Sequence, residues 1–366
     1  MQMKEQISAF QMALMMYPTV LATGFLALPS VSAHYAGSDM WLAPLFASFS
    51  GFLGIFCAVK LHQRFPGQTV VQYGEQIVGR WLGKLIGLGY FIYLAHRLGT
   101  ISRQYAEFVE GNFLFRTPNL IVICTIVLLA GLAVRGGIEV MARSAVIFTP
   151  IFIFPIFFLL LLFPDLNYHH MFPVLDHGLV PVLQGSIAPQ AWFNEYFLIS
   201  FILPKLANAG EGGKWGYISF SAVLVSLVYV DLICLFLLGE DTGSKTYPVL
   251  VAFRFLSVAD LFENLEALLL AMWVFGNFVK ISVFYYAAVT SFTQCLNLQD
   301  YRVYVLPVGI IGIAFSLWDL PTYPSLVQHL RLAAPFEILL FLSAIPLLLL
   351  IIAALSGKSK AAAQGS

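Results

Sequence analysis

The stretch that decides the class of this protein lies near its N-terminus, where residues 10–35 read FQMALMMYPTVLATGFLALPSVSAHY. It carries no Asp, Glu, Lys or Arg, and it exceeds the roughly 20 apolar residues that a helix needs to cross a bilayer. It is too long for the apolar core of a signal peptide and lacks a convincing small-residue cleavage site. We therefore expect this stretch to be the first membrane span.

The composition of the whole chain agrees with this first stretch. The 366 residues are 60% hydrophobic and 10% charged, whereas about a quarter of a soluble domain is charged. Acidic and basic residues balance at 19 each, so no basic surface points to nucleic acid. The sequence predicts an all-α polytopic membrane protein with a single transmembrane domain over 1–355 and a disordered cytoplasmic tail over 356–366.

Apolar runs predict ten spans, and Lys and Arg in the connecting segments predict their orientation. Placing both termini in the cytoplasm puts twelve of these cations on the inner side and four on the outer side. The spans are expected at 10–35, 41–61, 81–113, 118–134, 142–163, 186–206, 214–239, 261–295, 303–319 and 334–355.

Two features predict an internal repeat, with one half over about 8–163 and the other over about 186–355. Spans three and eight, five apart, are the longest. Spans one and six both carry helix-breaking residues, in Pro18 to Pro29 and in Pro189 to Glu195. Matching interruptions in two halves indicate a ligand site at the membrane midplane. The alternative is a proline kink packed by neighbouring helices.

Charged residues inside spans need a partner or a function. Glu195 in span six can bind a ligand amine, carry a proton, pair with a base, or bond the freed amides of its own helix. Lys280 in span eight can take the place of a sodium ion, change protonation during a cycle, or snorkel to the inner face. Arg103 and Glu107 lie four apart on span three and are expected to form an ion pair that is either structural or part of a gate.

No signature of an enzyme or cofactor site is present. Cys57, Cys124, Cys234 and Cys295 lie in or beside apolar runs and form no C-x-x-C pair, so we expect neither a metal nor a redox role for them. His96 on span three has no second ligand at metal spacing. The H-E-x-x-H, G-x-S-x-G and P-loop patterns are absent from the sequence. Binding or transport is therefore favoured over catalysis, and no cofactor is expected.

Four stretches, taken in order, carry a family likeness. They are ATGFLALP at 22–29, FPVLDHGLVP at 172–181, NLEAL at 264–268 followed by Trp273 and FVKIS at 278–282, and AFSLW at 314–318. Together they resemble the B subunits of bacterial spore germinant receptors, which belong to the amino acid–polyamine–organocation transporter superfamily. The likeness extends over essentially the whole chain.

This resemblance implies a LeuT-like fold of ten helices in two inverted halves, with helices one and six broken around a small nutrient, typically an amino acid. Amides of a broken helix suit the carboxylate of such a ligand, and Glu195 suits its ammonium group. Ala22 and Asn194 stand where related sequences often have glycine, so the nutrient could also be a sugar or a nucleoside. The implied ligand-binding residues are Ala22, Thr23, Gly24, Phe25, Tyr93, Trp192, Phe193, Asn194 and Glu195.

The resemblance also implies a function. It predicts a nutrient-sensing subunit in the inner membrane of the spore, with a receptor A subunit and a lipoprotein C subunit as partners. The alternative is a proton-coupled amino acid transporter with Glu195 or Lys280 as the proton site. Without the resemblance, the residues alone favour the transporter. A transporter-like fold does not by itself reveal whether net transport occurs.

Overall fold

The structure, a computed structural model, describes residues 5–256 and 265–359. These residues form helices joined by short connections, and the only bridge of β type among them pairs Ile7 with Leu206. The α-helices in chain order are α1 (Ala9–Ala36), α2 (Ala43–Arg64), α3 (Val70–Val78), α4 (Arg80–Asn112), α5 (Asn119–Gly136), α6 (Ile138–Phe158), α7 (Leu179–Ser186), α8 (Pro189–Asn194), α9 (Ile199–Ile202), α10 (Gly212–Leu238), α11 (Pro248–Phe255), α12 (Glu266–Cys295), α13 (Val305–Trp318), α14 (Tyr323–Leu332), α15 (Ala334–Leu339) and α16 (Ile345–Leu355).

The membrane class predicted from composition is confirmed. Among the described residues, seven helical segments are long and apolar enough to cross a bilayer, and one of them, Ala9–Arg64, contains both α1 and α2. The charged helix α4 and the short helices α7 to α9 are not among the seven, so the number of ten spans remains a prediction. The start of the predicted span at 261–295, including Asn264, and most of the predicted tail, 360–366, lie outside the described residues.

The two predicted longest spans are indeed the longest helices that the structure describes. Helix α4 contains 33 residues and α12 contains 30. At about 1.5 Å per residue, both exceed the thickness of a bilayer core. They pack extensively against each other, so the polar residues on these two helices meet inside the protein.

The structure corrects the prediction of a broken first helix, because α1 runs without interruption through Pro18 and Pro29. Proline at position 18 cannot donate to the carbonyl of Leu14, four residues earlier. The hydroxyl of Thr149 on α6 donates to that carbonyl at 2.8 Å instead. A neighbouring side chain thus satisfies the freed backbone group, which a membrane-buried helix requires.

This bond between α6 and α1 gives a testable expectation. Thr149→Val should destabilise the wild-type fold by about 1 kcal/mol, because it leaves the Leu14 carbonyl without a donor. In a Pro18→Ala background the same change should cost little, since the amide of residue 18 then bonds Leu14. Thermal unfolding of the four proteins in detergent measures the difference. Equal losses in both backgrounds would contradict this assignment.

The predicted interruption of the sixth span is confirmed. Helix α7 ends at Ser186, α8 runs only from Pro189 to Asn194, and a 3₁₀ segment over Glu195–Leu198 follows it. Tighter 3₁₀ winding inside a helical segment often marks a functional position or strain. In this chain it coincides with Glu195, which is fully buried.

Helices α4 and α13 approach each other closely at a pair of glycines. A Cβ atom on Gly99 would lie 2.6 Å from the carbonyl oxygen of Gly312, which is shorter than any tolerable contact. Only glycine allows this approach. It places the end of α13, and Asp319 directly after it, beside the middle of α4, where His96 and Arg97 are located.

Candidate functional site

A buried ion pair joins the sixth and eighth predicted spans. The Nζ of Lys280 on α12 lies 2.6 Å from Oε2 of Glu195, and both side chains are completely buried. The structure thus brings together two residues that the sequence singled out separately. It shows Glu195 paired with a basic side chain, which is one of the alternatives that the sequence left open. It also shows Lys280 directed into the protein rather than snorkelling to an interface.

Arg97 on α4 supplies a second cation to the same carboxylate. Its Nη2 lies 3.7 Å from Oε1 of Glu195, too far for a hydrogen bond. Its Nε and Nη1 are buried and have no partner among the described residues. Since Lys280 already neutralises Glu195, the three side chains carry one surplus positive charge, and a buried cation is costly unless an anion compensates for it.

Arg97 also lines a cavity of about 310 Å³, which we call the α1–α4–α8 cavity. Its size falls at the lower end of the range for small-molecule sites. Its walls combine apolar side chains with a few polar groups, the usual composition of such sites. The lining residues are Ala27, Ser30, Val31, Arg97, Gln104, Glu107, Ala188, Ala191, Trp192, Gly243, Ser244, Lys245, Thr246, Tyr247, Tyr323, Leu326, Val327, Leu330, Arg331, Ala334 and Ile338.

Trp192 links this cavity to the predicted helix-one site. Its indole Nε1–H donates to Oγ1 of Thr23 at 3.0 Å. A Cβ atom placed on Gly24 would lie 3.5 Å from Cγ of Trp192, in ordinary contact. The indole thus packs on the helix-one residues from one side and lines the cavity on the other.

The remaining predicted ligand-binding residues pack against protein neighbours and do not line the cavity. Ala22 and Phe25 are buried on α1, and the ring of Phe193 packs on Phe220. The side-chain oxygen of Asn194 accepts a hydrogen bond from Ser343 at 2.7 Å. Tyr93 stacks on Phe341 with ring centroids 4.6 Å apart. Of the nine predicted residues, Trp192 alone is among those lining the cavity.

The predicted Arg103–Glu107 ion pair is present. Nη2 of Arg103 lies 2.6 Å from Oε1 of Glu107, and it also donates to the carbonyl of Pro321 at 3.2 Å. Glu107 lines the cavity. The pair therefore connects the cavity wall to the chain between α13 and α14, a placement that suits either a structural role or a gate.

Arg97 is the residue that the sequence reasoning undervalued. A signal was available, because Arg103 has an acidic partner four residues along its helix, whereas Arg97 has Tyr93 and Ile101 at the corresponding positions. An arginine inside a span without a local acidic partner must find its counter-charge elsewhere. The prediction placed the ligand carboxylate at the amides of a broken helix, and the continuous α1 offers no such break.

Fold and site together define a class of protein. The chain has the LeuT-like fold of helical membrane transporters, with a small cavity beside an interrupted helix. A solved structure of MhsT in complex with L-phenylalanine has a TM-score of 0.68 to this chain, covers 94% of it and 89% of the other chain, and is 13% identical in sequence. Such low identity shows a shared fold and nothing further.

Within that class, the chain belongs to the spore germination protein family, whose pattern it matches over residues 6–323. Spore germination protein KB of Bacillus subtilis (strain 168) is 25% identical over 383 residues, covering 99% of this chain and 98% of that protein. Spore germination protein YndE of the same organism is 26% identical, covering 95% and 96%. The family resemblance inferred from the four motifs is confirmed.

Proposed function

We propose that this chain is the nutrient-sensing integral membrane subunit of a spore germinant receptor. Its ligand is a small nutrient that carries a carboxylate, most simply an amino acid, and it binds in the α1–α4–α8 cavity next to the interrupted sixth span. The observation that carries the proposal is Arg97, which lines the cavity and whose buried Nε and Nη1 have no hydrogen-bond partner among the described residues. Arginine binds carboxylates through paired, charge-assisted hydrogen bonds.

The charge balance around Glu195 supports an anionic ligand. Lys280 and Arg97 together exceed the single carboxylate of Glu195, so a ligand carboxylate brings the buried cluster to neutrality. Binding then changes the interaction of Arg97 with α8 and α12. A ligand that interacts differently with two arrangements of the helices shifts the equilibrium between them, and this shift is the proposed signal.

The proposal includes a location and partners. With both termini on the core side of the spore's inner membrane, Ala27 to Val31 lie toward the outer end of α1, so the cavity is reached from outside. The signal passes to a receptor A subunit and a lipoprotein C subunit. The names of the relatives, all spore germination proteins, support this context.

A second candidate function is a proton-coupled amino acid transporter, which the transporter fold favours. The buried Glu195–Lys280 pair supports it, because a carboxylate that shares its counter-ions can exchange a proton for a cation during a cycle. Uptake distinguishes the two functions. A transporter accumulates labelled substrate in vesicles under a pH gradient, whereas a receptor subunit on its own does not.

The test of the receptor function is germination of spores that lack this chain, compared with complemented spores, across amino acids, their decarboxylated amines, sugars and nucleosides. We expect the response to one carboxylate-bearing nutrient to disappear in the deletion and return on complementation. An unchanged response to every nutrient would contradict the proposal. Loss of a sugar or nucleoside response alone would leave a receptor but refute the carboxylate.

Gly24 provides a test of the shape of the cavity in which no charged residue is changed. In Gly24→Val, the added methyl groups press on Trp192 and move its indole toward the cavity. The displaced indole takes space from the ligand, and an overpacking cost of about 1–3 kcal/mol on the bound state should raise the nutrient concentration for half-maximal germination roughly 5- to 150-fold. The control Gly24→Ala places its Cβ at an ordinary contact distance and should respond like wild type. A wild-type response of the valine variant would show that Trp192 is not part of the ligand site.

A further inference from the structure

A second polar cluster, which the proposed function does not use, lies where α4 meets the end of α13. Nε2 of His96 lies 2.8 Å from Oδ2 of Asp319, the residue that follows α13. His329 on α14 completes the cluster. One potential ligand atom from each of these three side chains lies within 4.8 Å of the other two. Residues far apart in sequence thus meet at one point in the fold.

Glu337 on α15 flanks the same cluster. Its Oε2 lies 3.7 Å from Nδ1 of His96 and 3.9 Å from Nε2 of His329. The Nε2 of His329 is buried and has no hydrogen-bond partner among the described residues. At these distances Glu337 makes no hydrogen bond to either ring, but it places a negative charge beside both imidazoles.

These residues have the composition of a transition-metal site. Two imidazoles and one carboxylate, with a further coordination position open, are a common ligand set for zinc, and imidazole also suits other first-row transition metals. The cluster is accessible, since His96, Asp319 and Glu337 line a surface cavity of about 610 Å³.

We propose that His96, Asp319 and His329 bind a divalent transition metal ion, with Zn²⁺ the best fit, and that the negative charge of Glu337 beside them favours binding of the cation. The three ligands come from α4, the end of α13 and α14. The metal therefore joins the middle of α4 to the connection between α13 and α15.

The position of the site gives the metal a structural consequence. Helix α14 carries His329 to the cluster and also lines the α1–α4–α8 cavity through Leu326 and Leu330. Arg97 in that cavity directly follows the proposed ligand His96. A bound metal thus fixes α14 against α4, and it holds one wall of the cavity in place. We expect Zn²⁺ to raise the melting temperature of the wild-type protein, because a ligand that binds only the folded state stabilises it.

The test is a Zn²⁺ titration of the full-length protein, purified in detergent without a histidine tag and stripped of metal by a chelator. Wild type should bind Zn²⁺ at a single saturable site. His329→Ala and Asp319→Asn should weaken binding by at least roughly 100-fold, and Glu337→Gln by roughly 10-fold. The control His177→Ala removes an exposed histidine away from the cluster and should bind like wild type.

Two readouts distinguish a variant that has lost a metal-coordinating side chain from one that has lost its fold. Each variant should keep the wild-type melting temperature in excess chelator, while only wild type and His177→Ala gain stability from Zn²⁺. Co²⁺ should give wild type the visible absorption of a low-symmetry site, and His329→Ala should lack it. Absence of saturable Zn²⁺ binding to wild type would overturn the proposal, as would equal affinities of His329→Ala and His177→Ala.

Discussion

Replacing Arg97 with methionine should raise the nutrient concentration for half-maximal germination roughly 10- to 150-fold. This range corresponds to the loss of about 1.5–3 kcal/mol from charge-assisted hydrogen bonds to the ligand carboxylate. The fold should remain intact, because Glu195 keeps Lys280, 2.6 Å away, as its counter-ion. The dose response of spores carrying the variant measures the first effect, and thermal unfolding of the purified protein measures the second.

Arg97→Lys is the matched control for this change. It keeps the positive charge but loses the planar fork that bonds a carboxylate at two points, so its response should lie between those of wild type and Arg97→Met. A wild-type dose response from Arg97→Met would remove Arg97 from the ligand site. A large drop in melting temperature would instead assign Arg97 a structural role.

The second large effect concerns the buried cluster in which two cations, Lys280 and Arg97, share the single carboxylate of Glu195. Glu195→Gln leaves Lys280 and Arg97 as two buried cations without a counter-ion, and it should destabilise the fold by about 3–5 kcal/mol. Lys280→Met should cost less, about 1–3 kcal/mol, because Glu195 can then pair with Arg97, now 3.7 Å away. Denaturant titration in detergent micelles measures both free energies of unfolding.

The double variant Glu195→Gln with Lys280→Met is the control for the predicted order of stabilities. It removes the carboxylate and one cation together, so it should be more stable than Glu195→Gln alone. Lys280→Met should also impair the germination response more than it impairs nutrient binding, since it changes how α8 and α12 are coupled. Equal destabilisation by the two single changes would show that the charges do not act as one cluster.

Much of the architecture could be predicted from local sequence. Apolar runs identify the membrane class, and their lengths single out the helices at Arg80–Asn112 and Glu266–Cys295 as the longest. The interruption near Glu195 follows from the residues around Pro189. Each of these properties depends on composition over one short stretch of chain, which sequence alone supplies.

The features that the sequence misjudged or left open depend on partners that are distant in sequence. Pro18 suggests a break in α1, but Thr149 donates the missing hydrogen bond to the carbonyl of Leu14, which lies 135 positions away in sequence. Lys280 meets Glu195 across 85 positions. His96 has no partner at metal spacing on its own helix, and the fold brings Asp319 to it across 223 positions. Spacing along one helix cannot reveal such contacts.

The central claim is that Arg97 binds the carboxylate of a nutrient in the α1–α4–α8 cavity. The most direct measurement is equilibrium binding of the nutrient identified by germination, and of its carboxamide, to the purified wild-type protein and to Arg97→Met. We predict that wild type prefers the acid by roughly 10-fold or more, and that Arg97→Met binds acid and amide equally. Equal affinity of wild type for the acid and the amide would contradict the account.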